Sequence, residues 1–306
     1  MIDSKTIEVD DLVVNLTSGA KNGDFIGRVR VDSDIDNPVY SILSQSAEGA
    51  MVIESSTGRL TVADESQFQH NVNPVITAEV EVSANGESAT ASVTVNIDNL
   101  TEDDLETIAY FKEIALGFEF GNASQITRTW NTDMRISVLG EPSEDNLDEL
   151  DRIINELNSL IEKDVTISLV TNPNSANYQI YFGSGSGYAA INTNAANLVG
   201  NNWGLFFINW DGNNNLNTGS MYVDIFRASP LEQAHLLREE LTQSLGLARD
   251  SDRYTDSIFQ SDFSTKVTEY SERDRELIRL LYHPLMRTGL TAQSVDPVLR
   301  EIISSR

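Results

Sequence analysis

Residues 229–251 read SPLEQAHLLREELTQSLGLARDS. Ser229 can cap a helix by accepting from backbone N–H groups, Pro230 suits a first turn that needs no N–H from it, and Glu232 stands three residues after the cap, where it can bond back. The stretch predicts a helix that starts here and ends at a glycine turn, Gly246. Upstream lie the strand-like runs MRISVLG, VTISLV, YQIYFG, WGLFFINW and MYVDIF, and a helix from Ser143 with Leu147, Leu150, Ile154, Leu157 and Ile161 on one face. Thr101 and Asp104 form another capping pair ahead of Leu105, Ile108, Phe111, Ile114 and Ala115. Residues 101–306 therefore predict an α+β domain with a mixed sheet.

Residues 1–100 have a different texture. ITAEVEVSA and TASVTVNID alternate apolar with polar residues, and Thr57-Gly58 and Asn85-Gly86 supply turns. This is an all-β pattern, read as a sandwich. A chain of 306 residues fits two domains of roughly 100–200 residues each.

With 21 Lys+Arg against 47 Asp+Glu, the net charge of −26 argues against nucleic acid, whose phosphates need clustered cations. The absence of cysteine excludes disulfides, Cys-ligated zinc and thiol chemistry. No apolar run approaches the ~18 residues of a membrane span, and MIDSKTIEVDD lacks the features of a signal peptide. The expectation is a soluble chain whose export signal or anchor, if any, is no longer present.

Two resemblances sharpen this reading. IGRVRVDSDIDNPVYSI, GAMVIESSTGRLTVAD and VTVNIDNL resemble, in order, the pieces of a cadherin-type repeat. That implies a Greek-key β-sandwich and calcium, with Asp32, Asp34, Asp36 and Asp98 as ligands. Alternating aspartates on a strand fall on one side and make an oxygen cluster fit for Ca²⁺; a merely acidic turn is the alternative. The second half resembles the metzincin metallopeptidases, most closely the matrixin type. ANYQIYFGSG matches a strand of that family, EELTQSLGLARDS lies over H-E-x-x-H-x-x-G-x-x-H, DSIF with Phe259 stands at the Met-turn, and YSERDRELIRLLYH matches the closing helix. Part of the pattern, with its Glu-Glu-x-x-Gln, is also similar to a bacterial family of zincin-like domains.

The departures bear on chemistry. Carried over by position, the zinc ligands become Glu239, Gln243 and Arg249, while the general base Glu240 and the turn Gly246 remain. No zinc is expected, because a permanently charged Arg249 repels Zn²⁺. Its guanidinium fork instead suits a pair with Glu239 beside Gln243. The chain has only three histidines, and His235 shares a helical face with Glu239 and Gln243, so a metal in a shifted register is an alternative to simple packing.

Glu239 and Glu240 as a metal-free acid/base pair would need one pocket, whereas adjacent helix residues point about 100° apart. The GSGSG stretch, with Gly183, Gly185 and Gly187, reads as a flexible loop rather than a phosphate loop, with no helix starting there. Trp203 and Trp210 read as core anchors, with Trp210 as a possible ligand platform. Together these expectations describe a non-catalytic exported or surface protein of bacterial type, binding a protein or glycan partner through a calcium-binding cadherin-like module and a pseudo-metallopeptidase. The alternatives are a divergent metal-dependent hydrolase using Glu240, with His235 or Asp250 recruited, and a calcium-rigidified adhesin spacer.

Overall fold

The structure is a computed structural model that describes residues 7–31, 35–118, 123–262 and 267–305. They fall into two compact units, one ending at Glu102 and one beginning at Asp103. No helix among the described residues is long and apolar enough to cross a membrane.

The first unit holds strands β1 (Leu12–Thr17), β2 (Phe25–Arg28), β3 (Val39–Gln45), β4 (Met51–Ile53), β5 (Arg59–Val62), β6 (Val75–Ala84) and β7 (Glu87–Asp98). A four-stranded sheet runs β1-β7-β6-β3 and a three-stranded sheet β2-β5-β4, with β1 parallel to β7. Alternation decides which side of β6 is buried: Ile76, Ala78, Val80 and Val82 are inside while Thr77, Glu79 and Glu81 face out. They join Ile26, Leu60 and Phe68 in a core common to both sheets. Asn85 and Gly86 take φ of 53° and 88°, the conformation of a tight hairpin turn between β6 and β7. Gly58 is required by space as well, since a β-carbon there would lie 2.4 Å from the Val29 carbonyl oxygen.

The second unit begins with α1 (Glu102–Ala115), β8 (Thr129–Trp130), β9 (Met134–Gly140), α2 (Glu144–Leu160), β10 (Ile167–Leu169) and β11 (Tyr178–Gly183). It continues with α3 (Gly185–Ile191), β12 (Gly204–Trp210), β13 (Asn215–Asp224), α4 (Pro230–Gln243), α5 (Glu272–Leu281) and α6 (Ala292–Ser304). The sheet order is β10-β9-β11-β13-β12, parallel except for β12, which runs antiparallel to β13 at one edge; β8 also pairs with β13. Ser143, Ser229 and Ser271 each cap a helix with a reciprocal bond from the third helical residue.

The end of α4 is fixed by buried side chains. Trp130 donates its indole N–H to the Ser244 carbonyl at 2.9 Å, and the Tyr282 hydroxyl donates to the Leu245 carbonyl at 2.9 Å. Gly246 then reverses the chain at φ 110°, and a β-carbon there would sit 2.1 Å from the Arg128 carbonyl oxygen. One expectation is corrected in this unit: a helix does start in GSGSG. Ser184 caps it by accepting from Gly187 N–H at 3.1 Å, and Gly187 leaves room for the Tyr181 hydroxyl, which a β-carbon would meet at 2.1 Å.

Candidate binding cleft

Helix α4 and strand β12 flank a cleft of about 620 Å³. Glu232, His235, Glu239, Glu240 and Gln243 reach it from α4, and Asp250 and Gln260 from the segment after Gly246. Trp203, Leu205, Phe206, Ile208 and Trp210 line it from β12 and its approach. The buried positions Leu237 and Leu241 face the core, which leaves the polar side of α4 toward the cleft.

Both Glu239 and Glu240 line this one cleft, so their 100° divergence on the helix does not separate them as expected. The opening extends along α4 and takes up both directions. Glu240 approaches β12 closely: a β-carbon on Gly204 would be 2.6 Å from its Oε1. Its charge also adds to the burial that raises the Tyr188 phenol to about 12.

His235 is 7% exposed, with Nδ1 2.7 Å from the Val267 carbonyl and Nε2 3.4 Å from Glu239 Oε2. A carbonyl only accepts, so Nδ1 carries a proton; Nε2 faces Glu239 as a lone pair when the ring is neutral and as a donor when it is protonated. Burial lowers the imidazole pKa against the opposing effect of the Val267 bond, which favours that neutral form.

Gln243 donates its amide to Asp250 Oδ1 at 2.5 Å. Burial raises the Asp250 carboxyl to about 6, partly offset by this bond. Among the described residues no ion pair joins Glu239 to Arg249, contrary to expectation. After the turn at Gly246 it is Asp250 that comes back over α4 to Gln243. Arg249 passes Gly117 instead, where a β-carbon would meet its Cδ at 3.7 Å. Phe259 is fully buried, and its carbonyl accepts from Ser251 N–H at 2.8 Å, which ties the chain around the turn.

Trp203 and Trp210 are 39% and 38% exposed, so they are not the core anchors expected; Trp130 is the fully buried tryptophan. Arg227 lies 5.9 Å from the Trp203 ring centroid and Arg128 4.3 Å from that of Trp210. Phe118 stacks on Trp210 at 5.4 Å. Arg227 also ties the loop before β12, donating to the Val199 and Asn202 carbonyls at 2.7 and 3.0 Å.

Among the described residues no group of three or more His, Cys, Asp or Glu side chains is disposed to hold a metal ion. Asp32 and Asp34, expected as calcium ligands, lie outside the described residues. Asp36 is exposed, and Asp98 closes β7, accepting from Leu100 N–H at 3.5 Å.

The profile of a family described as "Protein of unknown function (DUF2927)" matches residues 104–301. The chain belongs to that family. The matched span takes in every residue named above as lining the cleft. No curated protein matches the chain. Among solved structures, the third cadherin domain of human protocadherin 7 is similar at 16% identity and a TM-score of 0.28, over 32% of this chain and 89% of that one. Drosophila N-cadherin EC1-3 gives 15% and 0.27, over 32% and 35%. Protocadherin Gamma B2 domains 3-6 give 17% and 0.27, over 30% and 25%, so this chain spans a quarter of that relative's length.

Proposed function

We propose that the chain is a non-catalytic exported binding protein: a calcium-binding cadherin-like module followed by a zincin-like pseudo-peptidase whose cleft holds a ligand without cleaving it. The observation that carries this reading is the Gln243–Asp250 contact at 2.5 Å. Gln243 stands where the metzincin resemblance implies a zinc ligand, and its amide is engaged by the neighbouring Asp250 instead. Elemental analysis of the purified chain, with proteolysis measured before and after chelation, tests it. About one zinc per chain with chelator-sensitive proteolysis would overturn it.

The divergent hydrolase reading has its own support, because Glu239, Glu240 and Asp250 line one cleft and burial gives Asp250 a pKa of about 6, suited to proton donation near neutrality. Under that reading Glu240→Gln abolishes hydrolysis; under the binding reading there is no hydrolysis to abolish. The adhesin-spacer reading assigns the cleft no ligand, so saturable binding there counts against it.

A further inference from the structure

We propose that the cleft binds a neutral oligosaccharide, one pyranose ring lying against Trp203 with its hydroxyl groups bonded to Asn201 and Asn202. This names the ligand class for the binding reading above and rests on it.

The α4 side of the cleft has little left to offer a ligand. Gln243 bonds Asp250, His235 bonds the Val267 carbonyl, and Glu232, Glu239 and Glu240 are each engaged with other groups of the chain. No lysine or arginine lines the cleft among the described residues, so an anionic ligand would meet carboxylates without a counter-charge. Trp210 is also taken, by Arg128 over its ring at 4.3 Å and by Phe118 stacked on it at 5.4 Å. What remains is the wall ahead of β12, made by Asn201, Asn202 and Trp203.

That wall is both open and held still. Trp203 is 39% exposed, and Arg227, which lies over its ring at 5.9 Å, does not line the cleft, so the indole surface on the cleft side is a different one. Among the described residues the Trp203 indole N–H, the Asn201 carboxamide and the Asn202 Oδ1 have no hydrogen-bond partner, while Asn202 Nδ2 donates to the Leu198 carbonyl at 3.0 Å and so fixes its amide. Arg227 donates to the Val199, Gly200 and Asn202 carbonyls, which sets the loop before a ligand arrives and keeps the ordering cost of binding small.

The free groups then select the chemistry. A carboxamide both donates and accepts, which suits hydroxyls, themselves donors and acceptors. An indole offers a flat apolar surface with one donor at its edge, and a pyranose offers an apolar C–H face rimmed by hydroxyls. These groups gather round one ring before β12 begins at Gly204 rather than along the strand, which favours a sugar ring over an extended peptide. A cleft of about 620 Å³ also lies within the roughly 300–1,000 Å³ of small-ligand sites.

Calorimetric titration of the full chain with neutral cellohexaose, maltohexaose, mannohexaose and chitohexaose tests the proposal. At least one is expected to bind at a single saturable site. Trp203→Ala is expected to weaken that binding about tenfold, and Trp203→Phe, which keeps a flat ring without the N–H, by less. Asn201→Ala removes no side-chain bond within the chain and is expected to weaken binding about threefold to tenfold. Melting curves check that the Trp203 variants fold. No binding by any of the four sugars, or binding indifferent to both Trp203→Ala and Asn201→Ala, would overturn the proposal. Tighter binding of hexagalacturonate or of an uncharged extended peptide than of any neutral sugar would overturn it too, while leaving a ligand-binding cleft in place. Chelator-sensitive proteolysis by the parent chain would instead remove the binding reading itself.

Discussion

Arg227 donates its Nε–H to the Asp224 carboxylate at 2.8 Å, and the same carboxylate accepts from the backbone N–H groups of Gly185, Phe226 and Arg227. This pair orders the end of β13, the start of α3 and the loop ahead of β12 around one buried Asp. Arg227→Leu is expected to cost about 1–3 kcal/mol and to speed amide exchange across residues 198–203, because the Val199, Gly200 and Asn202 carbonyls lose a shared donor. Arg227→Lys should not restore protection, since one ammonium cannot reproduce the planar fork. Unchanged exchange in Arg227→Leu would show that the loop is held by other contacts.

Two glycine substitutions separate space from backbone conformation. Gly86→Ala meets open space at φ 88°, so the cost should stay near the ~1–2 kcal/mol of left-handed backbone. Gly246→Ala meets the Arg128 carbonyl at 2.1 Å and should cost clearly more, with the melting temperature of the second unit falling by roughly 2–4 °C per kcal/mol. Equal losses would remove the close approach at Gly246 as a constraint.

Asp250 makes stability depend on pH. Its carboxyl stands at about 6 in the folded chain against an ordinary 3.8, so between those values the folded state holds a proton that the unfolded state has released. The group favours the fold fully below about pH 4, and that contribution, at most about 3 kcal/mol, is lost as pH rises through 6. Asp250→Asn is expected to gain stability relative to the parent between pH 4 and 7. Parallel stability profiles for the two proteins would rule out this titration.

Calcium is expected to raise the unfolding temperature of the first unit after metal stripping, through Asp36, Asp98 and the neighbouring Asp32 and Asp34. Asp98→Asn should reduce that rise. A melting temperature indifferent to saturating calcium removes the calcium role.

The helix starts were legible in the sequence because capping is local: Ser143, Ser229 and Ser271 each act with a partner three residues away. The reach of the cleft was less so, since it depends on distant elements. Residues seven apart on an ideal strand face opposite sides, but Trp203 precedes β12 and the register slips at Asn209/Trp210, and both indoles line one cleft. After Gly246 it is Asp250 rather than Arg249 that comes to Gln243, which motif spacing alone could not reveal. GSGSG looked like a breaker, yet those glycines are small enough to pack beside Tyr181 while Ser184 caps the helix.

The pins at the end of α4 also bear on how the chain matures. Trp130 reaches Ser244 across 114 positions, and Tyr282 reaches Trp130 across 152. Contacts so remote in sequence form only after long loops have closed, which places them late in folding. The start of α4 is set by its own local capping box, whereas its terminus must wait for Trp130 and Tyr282 to be brought in from far along the chain.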